Sequence, residues 1–446
     1  MTTKSSSFGK KVFNNTAFSL IDILITKSTT ILAFVLLVRM LPEESIAAIG
    51  IATGYLIFIS YFDVAPIRVL LRDYPKIAQE ETKRNELLTA LFLFWFMQTT
   101  LMLVVAFVLC IFLLGPFDIV GLQFLYLAMA FDFIVLTLQG WIKTVYYANF
   151  MQRTATKISL FIGLVRFSAY IALFISPMIE TYALILVLTA LAASIIWIFS
   201  FQKQFQFHFI FHRGTPKVLW QSLLDYGLWD HFNRTVIDTL FTIDLVILSW
   251  FVMARDMSSY TIALKFASLL TLIPAQLNAA LQVTLSNYQV EEKRNTAINT
   301  LLKVNGLISI MQLVVILLFG DWLIRLLFGQ EINTDVVNYA LIISIGVTIF
   351  NLCYPLIGIV NNYCRLKHVF ILVFLPALII SCATYYVAAA QYGAAGVAYS
   401  NIIAYTTLAL GLSIYVKYHY PISIKFKLIT SNEAELIKEI LGRRQK

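Results

Sequence analysis

Charged and hydrogen-bonding side chains recur at helical spacing inside stretches that are otherwise apolar. Asn15, Ser19, Asp22, Thr26 and Thr29 follow one another by four, three, four and three residues, which places them on one helix face. Asp230, Arg234, Asp238 and Thr242 advance in steps of four, so Arg234 can reach either carboxylate, while Asp244 falls on a different face. Asp132, Gln139, Lys143 and Tyr146 form a third stripe. Ser344, Thr348, Asn351, Pro355, Gly358 and Asn362 form a fourth, and Thr261, Lys265 and Ser268 a fifth, ahead of Pro274 with Gln276, Asn278 and Gln282 beyond it. Charges in such surroundings do not suggest hydrolysis or group transfer. No nucleophile and base pair, phosphate loop or loop-borne carboxylate pair stands out, so no catalytic residue is assigned. The chemistry they suggest is neutralisation of a charged, hydrated cargo or carriage of a coupling ion.

The elements that hold these stripes follow from composition. Of 446 residues, 60% are hydrophobic and 13% charged, and the mean hydropathy is +0.81. A helix needs about 20 apolar residues to cross the hydrocarbon, and only helices or closed barrels satisfy their own backbone there. The apolar runs are helix-length and lie near 16–38, 44–63, 88–114, 119–141, 157–177, 181–200, 222–252, 258–285, 301–319, 336–361, 368–390 and 395–416. The expected fold is an all-α integral membrane protein of about twelve transmembrane helices. Each charge at the bilayer centre costs about 2.5–3.5 kcal/mol on insertion scales. Stripes on five helices therefore imply a shared aqueous interior. Buried ion pairs that only fix helix packing, and snorkelling near span ends, are the alternative reading, above all for Lys143 and Asp230. Asp22, Arg234, Asp238 and Lys265 lie further from the ends and are expected at the cavity. Pro274 and Pro355 mark kinks.

Lys and Arg orient the chain. With the N-terminus inside, three precede the first span, five lie in 64–87, three in each of the next three inside segments, two at Arg365 and Lys367, and seven in the tail, together 26 of 33. Both termini are expected to be cytoplasmic. The +9 net charge then reflects orientation and gives no reason to expect a nucleic-acid partner. Asp22 and Lys27 interrupt the first apolar stretch, which reads as a retained span and not a cleaved signal. Cys110, Cys353, Cys364 and Cys382 have neither disulfide nor CxxC metal spacing. His208 and His212, inside FQFHFIFHR, read as an aromatic and basic interface segment, and no metal site is expected.

Two echoes suggest an internal duplication. IDILIT at 21–26 matches IDTLFT at 237–242, and the same offset carries Arg39 onto Arg255; KRN recurs at 83–85 and 293–295, each before a span. Two six-helix bundles around a central cavity are expected, 1–200 and 222–418, joined by a cytoplasmic linker at 201–221 and followed by a tail at 419–446. Residues 64–87 read as a helix along the headgroups. In the tail, Asn432 and Glu435 at capping-box spacing, AELIKEIL and Gly442 read as a short amphipathic helix.

RMLPEESIAAIGIATGY after the first span, and DLVILSWFVMARDMSSYTIALKFASLLTLIP across the seventh and eighth, resemble the multidrug, oligosaccharidyl-lipid and polysaccharide (MOP) exporter superfamily. Its polysaccharide branch has an acidic residue in the seventh span followed by a Y-x-x-A-x-K/R segment, here Asp244 and then Tyr260, Ala263 and Lys265. LLFGQEI and YGAAGVAYSNIIAY resemble the late loop and last span of that branch. The resemblance implies an O-antigen-type flippase of the bacterial inner membrane, moving a polyprenyl-diphosphate-linked oligosaccharide between leaflets by alternating access, with membrane lipids around it and other polysaccharide-assembly proteins as conceivable partners. For that substrate Lys265 and Arg234, then Lys27 and Arg166, are the expected phosphate or acidic-sugar contacts, and Asn351 a polar cavity contact. Asp22, Asp238 and Asp244 would pair with them or titrate with a coupling ion, H+ or Na+. Ile21 before Asp22, where the fourteen-span peptidoglycan carriers have a basic residue, makes that branch a poorer match. Two readings compete: a drug and cation exporter of the same superfamily, whose cavity would be mainly acidic, and a membrane glycan polymerase or ligase, which would need a large outside loop rich in Arg or His.

Overall fold

The computed structural model describes Asp22, Ile25, Thr26, residues 28–64, Tyr74, Ile77, 80–117, 119–210, 227–278 and 291–420; for 291–294 and 297 it describes only the helical backbone. Among the described residues nine helices are long and apolar enough to cross a membrane, and Ser28–Met40 is a shorter apolar one. We label the helices α1 (Ser28–Met40), α2 (Glu43–Ser60), α3 (Glu81–Phe112), α4 (Leu122–Ala148), α5 (Gln152–Ala169), α6 (Ala172–Ile175), α7 (Ile179–Phe205), α8 (Leu228–Leu240), α9 (Ile243–Ser249), α10 (Ala254–Ser268), α11 (Glu291–Phe328), α12 (Thr334–Tyr363), α13 (Leu366–Val369) and α14 (Leu375–His419). No strand occurs among them.

The expected seventh span is divided: α8 ends at Leu240 and α9 begins at Ile243, each too short to cross alone. The last two expected spans are continuous in hydrogen bonding from Leu366 to His419 but reverse at Gly393, whose φ of 59° and ψ of −142° leave the helical region. Only a residue without a Cβ enters that conformation at no steric cost. The reversal is a tight hairpin: Tyr385 donates to Asn401 across it at 2.9 Å. The expected spans thus map onto nine long helices, one of which contains two spans, plus the shorter α1 and the α8–α9 pair. The headgroup helix at 64–87 is described only in part, and the tail helix and most of the linker lie outside the described residues.

Helix starts follow local chemistry. Pro42 precedes α2, whose first turn carries Glu43 and Glu44 against the positive end of the helix dipole. Asn333 caps α12 by accepting from the Asp335 amide.

The chain divides into two compact units, 1–235 and 236–446. In the first, Tyr146 of α4 meets Trp197 and Phe205 of α7 edge-on, with Leu87, Leu88 and Leu91 of α3 completing an apolar core. The start of the linker packs here as well: the Ile210 amide donates to Thr89, Arg84 donates to the Phe205 carbonyl, and Phe209 stacks edge-on against Phe92. The His208 segment is an aromatic ladder, as its composition suggests; His212 lies outside the described residues.

In the second unit α12 packs against α10, α11 and α14. Gly346 permits the close approach of α14. A Cβ there would lie 3.0 Å from Tyr405 and 3.1 Å from the Asn401 backbone. Small residues at such crossings are how membrane helices approach closely. Gly346→Ala is expected to destabilise the unit by about 1–3 kcal/mol through overpacking, measurable as a lower thermal midpoint in detergent. In contrast, α3 and α11 present large apolar side chains such as Phe107 and Leu318 outward, as lipid-facing helices do.

Candidate functional site

Polar side chains inside the first unit meet across helices. Asp22 is 1% exposed; its Oδ2 forms an ion pair with Lys143 Nζ and accepts from the Tyr147 hydroxyl at 2.8 Å. Lys143 and Tyr147 are one turn apart on α4, so a single helix face presents both donors. Thr26 and Thr29 of the first stripe donate back to the carbonyls of Asp22 and Ile25 and satisfy themselves on their own helix. Three turns back along α4, Asp132 accepts from Arg166 of α5, whose Nε donates to Thr189 of α7 at 3.3 Å. A cation and an acid neutralise each other at both places. Asn15, Ser19 and Lys27 lie outside the described residues.

The α4 stripe differs from the sequence reading in one detail. Tyr146 points into the aromatic core, and it is Tyr147 that reaches Asp22. Arg166, expected as a phosphate contact, is engaged by Asp132 here.

A third polar group forms where α8 meets the residues after α2. His231 Nε2 lies 3.0 Å from the Tyr61 carbonyl, and because a carbonyl only accepts, that nitrogen carries the proton. Gln98 of α3 donates to Asp63 at 2.8 Å. Arg234, one turn after His231, is exposed, whereas Asp230 is buried. Asp63, Gln98 and His231 were not singled out from sequence. Asp63 follows a span end where acids are ordinary, and Gln98, followed by Thr99 and Thr100, has no polar residue three or four positions away, so neither has a spacing that would reveal it.

In the second unit Asp244 is fully buried at the start of α9. Its Oδ2 accepts from the Tyr260 hydroxyl at 2.5 Å, and its Oδ1 from the Leu245 amide at 2.9 Å. Asn401 of α14 donates to the Tyr260 oxygen at 2.6 Å and in turn accepts from Tyr385. The four side chains, each 0% exposed, join α9, α10 and both arms of α14. Asp244 and Tyr260 were marked by the sequence, whereas Tyr385 and Asn401 could be joined to them only through the hairpin. Asp238 is exposed, and Lys265 is half-buried.

Asn351, expected as a polar cavity contact, is 1% exposed, and its amide nitrogen is committed to a backbone carbonyl. Pro274 has no N–H for the carbonyl of Leu270 four residues earlier, and Asn351 Nδ2 donates to that carbonyl at 3.0 Å. Pro355 frees the Asn351 carbonyl in the same way, and Asn305 Nδ2 of α11 donates to it at 2.6 Å. Two proline breaks in neighbouring helices are thus sealed by two asparagine amides.

The MatE family model matches residues 232–374, less than half of the chain. No curated protein matches it in sequence. Among solved structures, the MATE transporter VcmN of Vibrio cholerae, in a mutant form, superposes with a TM-score of 0.60 at 14% identity, over 94% of this chain and 99% of that one. The lipid II flippase MurJ in an inward closed conformation superposes with a TM-score of 0.67 at 15% identity, over 98% and 93%. An inward-facing multidrug resistance MATE family transporter of the MOP superfamily gives 0.60 at 14%, over 89% and 96%. The chain has the fold of MOP-superfamily transporters. Within the MATE and MurJ fold, the two ion pairs and the His231 group belong to the first unit, and the Asp244 network and the sealed proline breaks to the second. The MatE match runs from α8 through Phe374 and includes Asp244, Tyr260, Lys265 and Asn351.

Proposed function

We propose that this protein is a flippase that moves a polyprenyl-diphosphate-linked oligosaccharide across a bacterial inner membrane by alternating access. In this reading each six-helix half, 1–200 and 222–418, contributes polar helix faces to transport, and both termini face the cytoplasm. The observation that carries it is an exposed cation, Arg234, on a membrane helix of a protein in which the more deeply placed acids are already held. Asp22 and Asp132 are held by Lys143 and Arg166, and Asp244 is enclosed at 0% exposure by hydroxyl and amide donors. Arg234 is exposed and Lys265 keeps partial exposure. A charge left exposed on a membrane helix belongs beside water, not lipid. Guanidinium and ammonium groups there draw an anion, and a diphosphate is an anion that cannot cross hydrocarbon unaided.

Arg234 in the first unit and Lys265 in the second are each contacts for the diphosphate or an acidic sugar, and the lipid chain stays in the bilayer. Lys27 and Arg166 are secondary contacts, Arg166 only after release from Asp132. Asp22, paired with Lys143, and Asp244, with Tyr260 and Asn401, are the ion-coupling candidates of the two halves. Asp238, beside Arg234, limits how firmly the anion is held and favours its release. MurJ, which shares the fold, is by its description a flippase of lipid II.

The second reading, export of a cationic drug, is favoured by the MatE match and by the exposure of Asp238. Deletion in the native host separates the two. The flippase reading expects loss of long surface glycan, with completed lipid-linked units accumulating in the cytoplasmic leaflet. Unchanged glycan together with sensitivity to cationic drugs would support export instead, and single units already in the outer leaflet would indicate a polymerase.

A further inference from the structure

Within the first unit the residues after α2 are fastened to the start of α8. His231 Nε2 donates to the Tyr61 carbonyl at 3.0 Å. Two residues further on, the half-buried Asp63 accepts from Gln98 Nε2 of α3 at 2.8 Å. Gln98 is itself buried, and with its nitrogen given to Asp63 its Oε1 has no hydrogen-bond partner among the described residues. A buried polar atom without a partner costs about 1–3 kcal/mol, so packing alone would not select a glutamine there. Orienting the Asp63 carboxylate gives it a reason.

Arg234 stands exposed on α8 one turn after His231, and its charge acts on both Asp63 and His231. Three carboxylates bear on this guanidinium. Asp230 and Asp238 lie four residues to either side on α8 itself, and Asp63 comes from the end of α2. The first two travel with Arg234 whenever α8 moves, so their attraction is the same in every arrangement of the helices. Asp63 does not travel with it. Its attraction for Arg234 falls as α8 leaves the end of α2, and a second anion seated on Arg234 cancels it. Only an interaction that differs between two arrangements shifts the balance between them, and among these three acids the Asp63 contact is the one that does.

We propose that Asp63, oriented by Gln98, is the resident counter-ion of Arg234, and that the diphosphate or acidic sugar must displace it to bind. The inference rests on the reading of Arg234 as an anion contact and adds what holds that residue when no cargo is bound. Asp63 is a positioning residue. It ties α8 to the end of α2 until an anion takes Arg234, and it takes Arg234 back when the anion leaves.

Calorimetric titration of the purified full-length protein with farnesyl diphosphate tests this. Asp63→Asn is expected to bind the probe about two- to fivefold more tightly, as removal of a competing ion pair predicts. Asp63→Glu should bind it as the unaltered protein does, and Asp63→Asn combined with Arg234→Ala no better than Arg234→Ala alone. In a flipping assay Asp63→Asn should lower the half-saturating substrate concentration and slow turnover several-fold, because nothing takes Arg234 back. A disturbed fold loses affinity, so a gain that vanishes without Arg234 belongs to the counter-ion role; Asp63→Ser is read in the same way should Asp63→Asn not fold. Affinity in Asp63→Asn at or below that of the unaltered protein, with binding still weakened by Arg234→Ala, overturns the proposal and leaves the flippase reading standing. Full affinity in Arg234→Ala instead overturns the anion role of Arg234, and the proposal with it.

Discussion

Lys143→Met is expected to destabilise the first unit by about 3–5 kcal/mol, because it leaves the carboxylate of Asp22 buried without its counter-charge. Asp22 is 1% exposed and, among the described residues, receives one further side-chain donor, Tyr147. The double replacement Asp22→Asn with Lys143→Met removes both charges and is expected to recover most of the loss. Unfolding followed by fluorescence-detected size exclusion in one detergent, over the full double-mutant cycle, measures the coupling. If Lys143→Met alone unfolds at the same temperature as the unaltered protein, the pair is not a structural contact. The cycle also has a functional arm: under the coupling role proposed for Asp22, Asp22→Asn is expected to slow transport.

Arg234→Ala and Lys265→Ala are each expected to lower transport by about 10- to 100-fold at normal protein levels, the equivalent of one hydrogen bond to a charged group worth roughly 1.5–3 kcal/mol. Arg234→Lys should keep part of the activity, because the charge remains while the two-pronged phosphate geometry is lost. Arg325 provides the control. It pairs with Asp321 at 2.8 Å and donates to the Gln330 carbonyl at a helix end. Arg325→Ala should cost at most about 1 kcal/mol of stability, as exposed pairs do, and leave transport intact. Complementation of a deletion strain, normalised to membrane protein level, reads all four variants. Full activity in both alanine variants would remove these two cations from the site.

Much of this arrangement was legible in the sequence because a membrane helix reports itself through length and apolar composition, and its polar face through spacing. The stripe Ser344, Thr348, Asn351 and Pro355 is one buried face of α12, as read. Asp244 was placed apart from its neighbours by spacing, and the structure gives the reason: a break at Phe241 and Thr242 starts a new helix with its own rotation. What sequence could not supply was the partner across a helix contact. Lys143 and Asp132 share an α4 stripe, yet one pairs with Asp22 and the other with Arg166, a choice made by packing and not by spacing. Tyr146 and Tyr147 differ by one position, and only the aromatic core of Trp197 and Phe205 decides which of them turns inward. The prolines read as kinks; their consequence, two carbonyls sealed by Asn351 and Asn305, required knowing that α10, α11 and α12 are neighbours. Lys27 and the tail helix of residues 432–442 lie outside the described residues.

The most direct test of the account is reconstitution into liposomes holding a polyprenyl-diphosphate-linked oligosaccharide, with a membrane-impermeant glycosidase or lectin reporting the leaflet in which the sugar stands. The account predicts protein-dependent movement of the glycan between leaflets, lost in the Arg234→Ala and Lys265→Ala double variant at equal incorporation. Glycan that stays in its original leaflet, while the same vesicles expel a lipophilic cation, would contradict it.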